Sequence, residues 1–440
     1  MDKINENGAP PSSVVAAYTL ALLFFANVVN YADRALLGVV AEPIRRELLL
    51  TDTQLGILQG FAFSLFFLVA GIAIARWVDR GNRRLILMLG IMLWSAATAA
   101  TALAHDFYTL AITRVVIGVG EATVFPVAMS LLADLYPGAR LSRSTSIFQA
   151  SSGVGILVGS ILAGVLGAAY GWRPMFVVFG AAGIFLVMLI ALTMRPTPRT
   201  AMAPVPSAPG FTPALSELLA TMRAILAVPG MPWLAIGFGL SNMVLACLPV
   251  WGPAFLQRSH DVELANVGAL VGPPAVFGAV LGNIVSGIIA TRLIQRSGNR
   301  YAGLIVPVFA LPIAVPAYAV FLFAPVLPVA LGGVAVMNFM LASSLGPCVA
   351  LAVSLVAPSQ RALTSTVMLI AQTLLAFALG PLIVGQVSDA LSATYGENSL
   401  RYALSMMLVA PLAASLLLWV ARRKIAGASS SVQVAVDAGI

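Results

Sequence analysis

Long apolar stretches, separated by short polar breaks, run through most of the chain. The stretches contain about 20 or more mostly apolar residues, and the breaks hold charged residues, Pro or Gly. A stretch of about 20 apolar residues crosses a bilayer as a helix, because a helix satisfies every backbone polar group internally. A membrane β-strand requires alternating segments of about ten residues, which the pattern lacks. The predicted spans are residues 15–40, 53–76, 84–104, 108–133, 144–170, 173–194, 229–255, 264–291, 301–324, 326–356, 362–388 and 400–421.

Composition agrees with an all-α integral membrane protein of twelve transmembrane helices. The chain is 60% hydrophobic and 9% charged, whereas soluble domains carry about 25% charged residues. The first apolar run begins near Val14 and lacks a small-residue cleavage site, which predicts a retained span rather than a signal peptide. Cys247 and Cys348 lie in apolar runs and are expected to be buried free thiols. His105 and His260 lie at predicted loops, so no metal site or other cofactor is expected.

The distribution of positive charge predicts the orientation in the membrane. Of the 24 Lys and Arg residues, 17 lie on the side of both termini, and Arg34 and Arg114 lie inside spans. The remaining five, on the opposite side, are Arg45, Arg46, Arg173, Arg258 and Arg401. Positive charge marks the cytoplasmic side, so we expect a multi-pass inner-membrane protein with both termini in the cytoplasm. The net charge of +8 is therefore explained by the predicted topology, and no nucleic-acid partner is needed to account for it.

A proline-rich segment divides the chain into two parts. Its sequence, "RPTPRTAMAPVPSAPGFTP", cannot form a span and is typical of a cytoplasmic linker. Thr212 and Pro213 predict the start of a short amphipathic helix that ends near Ala227. The predicted organisation is a tail at 1–14, a six-helix bundle at 15–194, the linker at 195–228, a second six-helix bundle at 229–421 and a tail at 422–440.

The two predicted bundles resemble each other in sequence. "GIAIARWVDRGNRR" (71–84) aligns with "GIIATRLIQRSGNR" (287–300), and matches between Arg140–Gly164 and Arg361–Gly385 recur in the same order. Their shared order and membrane side indicate a parallel repeat of two pseudo-symmetric bundles. Transporters built in this way bind substrate near the bilayer midplane, at the interface of the repeats.

The first span carries charge where lipid is expected. Asp33 and Arg34 occur in "NVVNYADRALLG", and Asn30 lies about one helical turn before them. A charge in the middle of a span costs roughly 2.5–3.5 kcal/mol on insertion scales. We therefore expect this polar face to point into the bundle.

The fourth span carries a second pair of charges, Arg114 and Glu121, in "TRVVIGVGEATVFP". Seven residues place them on one face but about 10.5 Å apart along the helix, which argues against a direct pair. Gly118 and Gly120 between them allow another helix to approach closely, and the first span is the expected neighbour.

The four intramembrane charges sum to zero, and two interpretations follow. They are either buried ion pairs that only hold the bundle together or a coupling site. Buried pairs stabilise poorly after desolvation, which favours coupling. Arginine stays charged, whereas burial favours the neutral form of a carboxyl group. Protonating one carboxylate leaves the group at +1, which favours an anion, and losing the proton weakens that attraction.

The loop after the second span, "ARWVDRGNRR" (75–84), resembles the signature loop of the major facilitator superfamily, G-x-x-x-D-R-x-x-R-R. Ala75 replaces the usual glycine, and the matching residues are Asp79, Arg80, Arg83 and Arg84. Asp79 could pair with a basic residue or interact with a helix N-terminus and so latch one conformation. The alternative is a cationic anchor that obeys the positive-inside rule.

Three further motifs resemble the spinster branch of this superfamily: "NYADR", "DRGNRR" followed by "ILMLGIMLWSAAT", and R-x-x-x-G-x-G-E-A. The resemblance covers residues 27–175 well and returns in "GPLIVGQVSDAL". It implies the major facilitator fold and a proton-driven secondary transporter, whose eukaryotic relatives move lysophospholipids and sphingosine phosphates.

The resemblance also implies roles for the intramembrane charges. It places Asp33 and Glu121 at proton-coupling positions and Arg34 and Arg114 at substrate-binding positions. The other substrate-binding candidates are polar residues of the spans, chosen by residue type: Asn30, Asn242, Asn338 and Gln372.

The predicted function is proton-coupled transport by alternating access, carried out by a monomer without a cofactor. The expected substrate is amphipathic and anionic, such as a lysolipid or a sphingolipid-like molecule. A small organic or sugar acid, or multidrug efflux on the same fold, is the alternative. An intramembrane enzyme is disfavoured because the spans contain no histidine, H-E-x-x-H or G-x-S-x-G. A channel is disfavoured because no ring-like charge or filter repeat occurs.

Overall fold

A computed structural model describes residues 13–136, 139–195, 215–357 and 360–437, and each regular element in these ranges is a helix. The helices before the linker are Ser13–Val39, Ala41–Leu48, Asp52–Gly56, a π-helix Ile57–Phe61, Ala62–Arg80, Arg83–Thr101, Phe107–Glu121, Val124–Leu135, Ala139–Tyr170 and Trp172–Thr193. Those after it are Leu215–Ala227, Met231–Ser241, Met243–Ser259, Leu264–Ser297, the 3₁₀ helix Arg300–Leu304, Ile305–Phe323, Leu327–Leu341, the 3₁₀ helix Ala342–Ser344, Leu345–Ser354, Arg361–Gln372, a π-helix Thr373–Leu379, Gly380–Tyr395, the 3₁₀ helix Gly396–Asn398, Ser399–Met406 and Val409–Asp437.

Eleven runs of helix in the described ranges are long and apolar enough to cross a membrane. The first ten, numbered here as spans one to ten, are Ser13–Val39, Asp52–Arg80, Arg83–Thr101, Phe107–Leu135, Arg143–Tyr170, Trp172–Thr193, Met231–Ser259, Leu264–Ser297, Arg300–Phe323 and Leu327–Ser354. The last run, Leu363–Ala428, is 66 residues long, about three times the length that one span requires.

The last run contains two spans, the eleventh and the twelfth. The chain turns at Gly396, whose φ of 54° lies in the left-handed region that glycine adopts without strain. Tyr395 before the turn and Tyr402 after it have ring centroids 4.4 Å apart, so the two helices pack against each other there. Twelve spans result, as the hydrophobic pattern predicts.

Side-chain caps define several helix starts. Asn82 accepts a hydrogen bond from the Leu85 N–H at 3.2 Å and begins the third span. Asp106 and Thr109 form a capping box that begins the fourth span. Each cap satisfies backbone donors that have no partner inside the helix.

Some sequence predictions concern residues outside the described ranges. Thr212 and Pro213, the predicted helix start, lie there, as do residues 1–12 and most of the predicted linker. The helix that follows is described as Leu215–Ala227, and its end agrees with the prediction. The last helix, Val409–Asp437, continues beyond residue 422, where the sequence predicted a tail.

The chain divides into two compact units, each with its own core. Unit 1 is Met1–Leu36, Phe66–Gly159 and Tyr170–Ser207, and its largest fully buried side chains include Trp94, Phe148 and Phe176. Unit 2 is Leu37–Leu65, Ser160–Ala169 and Ala208–Ile440, with Trp251, Phe255 and Phe321 in its core. The first, second and fifth spans each contribute residues to both units. The division into two six-helix bundles at the linker stays a prediction.

The fourth and tenth spans have the same interruption, which supports the internal repeat. In the fourth span a helix ends at Glu121 and a second begins at Val124. In the tenth span a helix ends at Leu341 and a second begins at Leu345 after a 3₁₀ turn. Leu341 thus occupies the position that corresponds to Glu121, so the second half keeps the backbone break but lacks the acid.

Gly120 brings the fourth span against the third span. A Cβ built on Gly120 would lie 2.8 Å from the Trp94 backbone nitrogen and 2.9 Å from the Gly90 carbonyl oxygen. The sequence correctly predicts a close approach here but expects the first span as the neighbour. The contact with the third span corrects that expectation for Gly120.

We expect Gly120→Ala to destabilise unit 1 by about 1–3 kcal/mol, the usual cost of overpacking. The added methyl group meets backbone atoms, which cannot rotate away as a side chain does. Thermal unfolding of the purified protein measures the effect. Gly71→Ala is the control, because a Cβ there has no atom within 4 Å and alanine favours the helix. Equal melting temperatures for the two variants would contradict the packing argument.

Candidate functional site

The four predicted intramembrane charges form one cluster inside unit 1. Asp33 and Arg34 come from the first span, and Arg114 and Glu121 come from the fourth. Asp33, Arg114 and Glu121 are 1–3% exposed, while the Arg34 side chain is 26% exposed. Charges this deep in a protein require partners, and the partners differ among the four.

Arg34 and Glu121 form the ion pair of the cluster. The Arg34 Nε atom lies 2.6 Å from Glu121 Oε2. The Arg34 guanidinium also lies 4.6 Å from the ring centroid of Tyr31 and 4.7 Å from that of Phe67, which are cation–π distances. Glu121 Oε1 is buried and accepts no hydrogen bond from the described residues, so this oxygen could still accept a hydrogen bond.

Asp33 takes a neutral partner from the third span. The Thr98 hydroxyl lies 2.9 Å from both Asp33 carboxylate oxygens, and Thr98 is 1% exposed. The positive charges of Arg114 and Arg34 both act on Asp33. Asp33 is thus held by one hydroxyl and by the charges of the two arginines.

Arg114 is the least satisfied member of the cluster. Its guanidinium lies 5.7 Å from the Phe176 ring centroid, near the limit of a cation–π contact. Its Nε and Nη2 atoms are buried and find no acceptor among the described residues. The expectation that Arg114 and Glu121 do not pair directly agrees with this geometry, in which Glu121 pairs with Arg34. An unpaired guanidinium of this kind can bind an anion.

Two asparagines and a glycine position the first span. Asn30 donates to the Glu121 backbone carbonyl at 3.4 Å, at the break in the fourth span. Asn27 donates to the Ser151 hydroxyl of the fifth span at 2.7 Å. Gly159 of the fifth span packs on Ala32, with a built Cβ only 2.5 Å from the Ala32 Cα. These contacts hold the residues that flank Asp33.

The remaining substrate-binding candidates lie in unit 2. Asn242 is buried and donates to the Phe238 carbonyl at 2.8 Å, and Asn338 donates to the carbonyl of Val334 in its own helix at 2.8 Å. Gln372 is half-buried at the end of the helix that begins at Arg361. The asparagine contacts are local to each helix, and all three residues belong to unit 2, whereas the four charges belong to unit 1.

The ion pair at the predicted latch loop is formed by Arg83. Asp79 and Arg80 are exposed, and Asp79 forms no ion pair within the described ranges. Arg83 is 6% exposed; it pairs with Asp134 of the fourth span and donates to the Ser130 hydroxyl at 3.1 Å. Arg84 donates to the Ala191 carbonyl. Asp134, which the sequence pattern did not single out, is therefore the acidic partner in this region.

A second ionic cluster, in unit 2, was also not predicted from the sequence. Arg258 at the end of the seventh span contacts Glu42 at 2.7 Å and both carboxylate oxygens of Asp52 at 2.7 Å. The Ser388 hydroxyl donates to Asp52 at 2.6 Å. The Asp389 carboxylate accepts from the backbone N–H groups of Asp52 and Thr53 at 2.9 and 2.8 Å, which caps that helix start.

Glu42 is a strongly ionised member of the second cluster. Burial alone would raise the pKa of Glu42, but hydrogen bonds from Arg45 and Arg46 and the charge of Arg258 outweigh burial and hold it at about 2. Close backbone packing also joins these segments, since a Cβ built on Gly385 of the eleventh span would lie 2.3 Å from the Asp52 carbonyl oxygen. The segment between the first and second spans is thus tied to the seventh and eleventh spans by charge and by close packing.

Most of the missed residues carried little signal in the sequence. Thr98 and Ser388 are common residue types in helices, where a hydroxyl often bonds its own backbone. Asp134 and Arg258 lie near predicted span ends, where a charge needs no special explanation. The one usable signal was the pair of acids Glu42 and Asp52, which lie close together between two predicted spans and on the same predicted side of the membrane as Arg258.

Comparison with known proteins places this geometry in context. Residues 23–381 match the sequence profile of the Major Facilitator Superfamily. An MFS-type efflux pump of Mycolicibacterium smegmatis is 29% identical over 416 residues, which cover 91% of each chain. A probable L-galactonate transporter of Escherichia coli is 30% identical over 281 residues, 63% of this chain and 62% of the relative.

Spinster proteins are similar in sequence and in structure. Human protein spinster homolog 1 is 30% identical over 253 residues, and the match spans about half of each protein, 56% of this chain and 47% of the relative. The crystal structure of a bacterial homologue of the human lysosomal transporter spinster, inward-facing and unoccupied, superposes with a TM-score of 0.84. It is 26% identical and covers 95% of this chain and 99% of that chain. The predicted fold and the spinster resemblance are confirmed.

Proposed function

Because the chain belongs to the Major Facilitator Superfamily, whose members are transporters rather than enzymes, we propose that it couples protons to the transport of an amphipathic anion. The protein is of spinster type. The proposed substrate is a lysolipid or a sphingolipid-like molecule, and the proposed mechanism is alternating access. We place both termini in the cytoplasm and the protein in the inner membrane, on the strength of its charge distribution.

The buried, unpaired guanidinium of Arg114 carries this proposal. Two of its nitrogen atoms lack an acceptor among the described residues, although an unsatisfied buried charged group is expensive. A phosphate or carboxylate of a substrate would supply both acceptors at once, which is the bidentate geometry that guanidinium favours. Arg114 is therefore the proposed anion-binding group.

Protonation of Glu121 links protons to the anion. The proton would neutralise the partner of Arg34 and weaken the 2.6 Å ion pair. Arg34 would then be available to the same anion as Arg114. When Glu121 releases the proton, its carboxylate pairs with Arg34 again and competes with the anion for that arginine. Binding of the proton and binding of the anion therefore depend on each other. Protonation of Asp33 would likewise make the cluster more positive and favour binding of the anion.

Aromatic side chains beside Arg34 favour an amphipathic substrate. Tyr31 and Phe67 flank its guanidinium and offer apolar surface next to the charge. A headgroup on the arginines with an acyl chain against the rings would use both features.

The exposed Asp79 and Arg80 remain the proposed gating residues of the loop, together with Arg83 and Arg84.

We expect Asp33→Asn to uncouple substrate movement from protons, because asparagine cannot carry the proton. The measurement is flux of lysophosphatidylglycerol into proteoliposomes, with and without an imposed pH gradient. The wild-type flux should follow the gradient, and the variant flux should not. Glu397→Gln, at an exposed acid in the turn before the last span, is the control and should keep the gradient dependence. A lysolipid flux that ignores the gradient in the wild type, with normal transport by Asp33→Asn, would refute the coupling.

Two observations favour other cargoes on the same fold. The galactonate transporter among the relatives favours a sugar acid, whose carboxylate suits Arg34 and Arg114 equally well. The efflux pump, which matches over most of the chain, favours export, as in the multidrug alternative. Thermal-shift measurements with lysolipids, sugar acids and hydrophobic cations separate the three, because each candidate predicts stabilisation by one class.

A further inference from the structure

We infer that Thr98 is a positioning residue for the coupling acid, an assignment that rests on the proposed role of Asp33. The Thr98 hydroxyl bridges the two Asp33 oxygens at equal distances of 2.9 Å. Both residues are buried, at 1% and 2% exposure. Thr98 is the only residue of the described ranges whose hydroxyl donates to Asp33, and it fixes the carboxylate relative to the third span.

The neighbouring Thr101 shows that a buried threonine of this helix does not necessarily bond to another span. Thr101 lies in the same helix and is 0% exposed, and its hydroxyl donates to the Ala97 carbonyl of its own helix at 3.0 Å. That intrahelical bond is the common arrangement for a threonine in a span. Thr98 instead directs its hydroxyl to another span, 65 residues away in sequence.

Backbone packing puts the third span in reach of Asp33. A Cβ on Gly183 of the sixth span would lie 1.9 Å from the Ser95 hydroxyl, and one on Gly180 would lie 2.6 Å from the Ser95 carbonyl. Gly120 of the fourth span meets Trp94 on the same helix. Glycines on two sides thus fix the position of the turn that precedes Thr98.

The Thr98 hydroxyl affects the charge state of Asp33 because it donates its hydrogen bond to the carboxylate oxygens. A donor that bonds both oxygens stabilises the carboxylate over the neutral acid. The charges that face Asp33 are Arg114 and Glu121 from the fourth span and Arg34 from its own helix. Thr98 adds a neutral donor to this set, so removing it makes protonation of Asp33 easier without changing the net charge.

Infrared titration of the purified full-length protein tests the assignment without knowledge of the cargo. The carbonyl stretch of a protonated carboxyl group is followed against pH, and the band that Asp33→Asn removes belongs to Asp33. We expect Thr98→Val and Thr98→Ala to move the midpoint of this band to higher pH by about one to two units, the worth of a hydrogen bond to a charged group. Thr98→Ser, which restores the hydroxyl, should return it to near the wild-type value.

Thr101→Val is the matched control, because it removes an equally buried hydroxyl from the same helix. Its midpoint should equal that of the wild type. Coincident midpoints for Thr98→Val and the wild type would overturn the role of Thr98 and leave the proposed coupling by Asp33 intact. If the wild type shows no titrating band that Asp33→Asn removes, the coupling role of Asp33 fails, and the role of Thr98 fails with it.

Discussion

Arg258→Gln lowers the stability of the protein by about 3–5 kcal/mol, the cost of breaking a buried ion pair on one side. Arg258 contacts both Glu42 and Asp52, and the three side chains are only 3–6% exposed. Glutamine removes the positive charge and leaves two buried carboxylates without it. Thermal unfolding of the purified protein should show a clear fall in the melting temperature.

Arg46→Gln is the matched control for this effect. Arg46 also contacts Glu42, at 2.8 Å, but its side chain is 63% exposed, so water screens the interaction. Loss of an exposed pair costs about 0–1 kcal/mol, and the melting temperature should barely change. A triple replacement, Glu42→Gln with Asp52→Asn and Arg258→Met, should recover much of the lost stability, since no buried charge then lacks its partner. Equal melting temperatures for Arg258→Gln and Arg46→Gln would contradict the burial argument.

The stability that the cluster supplies should not depend on pH near neutrality. Glu42 has a folded-state pKa of about 2 against an ordinary value of 4.5. A depressed pKa contributes stability that is complete above the ordinary value and is lost as pH falls toward the folded value. The effect of Arg258→Gln is therefore expected to be as large at pH 6 as at pH 8.

Arg114→Gln should reduce transport of an anionic substrate by about 30-fold or more in kcat/KM. Removing one partner of a buried, hydrogen-bonded charge pair costs about 2–5 kcal/mol, and each 1.36 kcal/mol is a factor of ten. The assay is lysophosphatidylglycerol flux into proteoliposomes. Arg114→Lys should fall between the variant and the wild type, because it keeps the charge but loses the planar fork.

Arg173→Gln provides the comparison for Arg114. Arg173 also sits beside an aromatic ring, 4.1 Å from the centroid of Trp172, but its guanidinium donates to the Ala104 carbonyl at 2.9 Å. Its replacement should leave flux within about twofold, since structural rather than substrate contacts are lost. Wild-type flux by Arg114→Gln, in protein that remains folded and monodisperse, would refute the anion site.

Local sequence was sufficient for the spans and for the location of the polar groups. The hydropathy of a segment is the sum over its own residues, so a span such as 173–194 can be predicted without knowledge of the helices that pack against it. The cost of a charge in a span likewise depends mainly on depth, which is why the residue pattern alone selects Asp33, Arg34, Arg114 and Glu121.

Pairing between these residues could not be predicted in the same way. Helical periodicity places Arg114 and Glu121 on one face, but it does not say that Glu121 meets Arg34, 87 residues earlier. It also cannot say that Asp33 takes Thr98 rather than an arginine. Both results depend on how the first, third and fourth spans cross, which close contacts at residues such as Gly120 and Gly159 determine.

By itself, the sequence determined that this protein is a twelve-span membrane protein with charged residues inside the spans of its first half. The tertiary structure decided which acid each arginine serves, which threonine turns away from its own helix, and that Glu42 and Asp52 meet Arg258, over 200 residues away. The physical reason is range: burial costs and helix formation act over one or two turns, whereas hydrogen bonds and ion pairs require atoms within about 3 Å, a distance that only packed backbones can set.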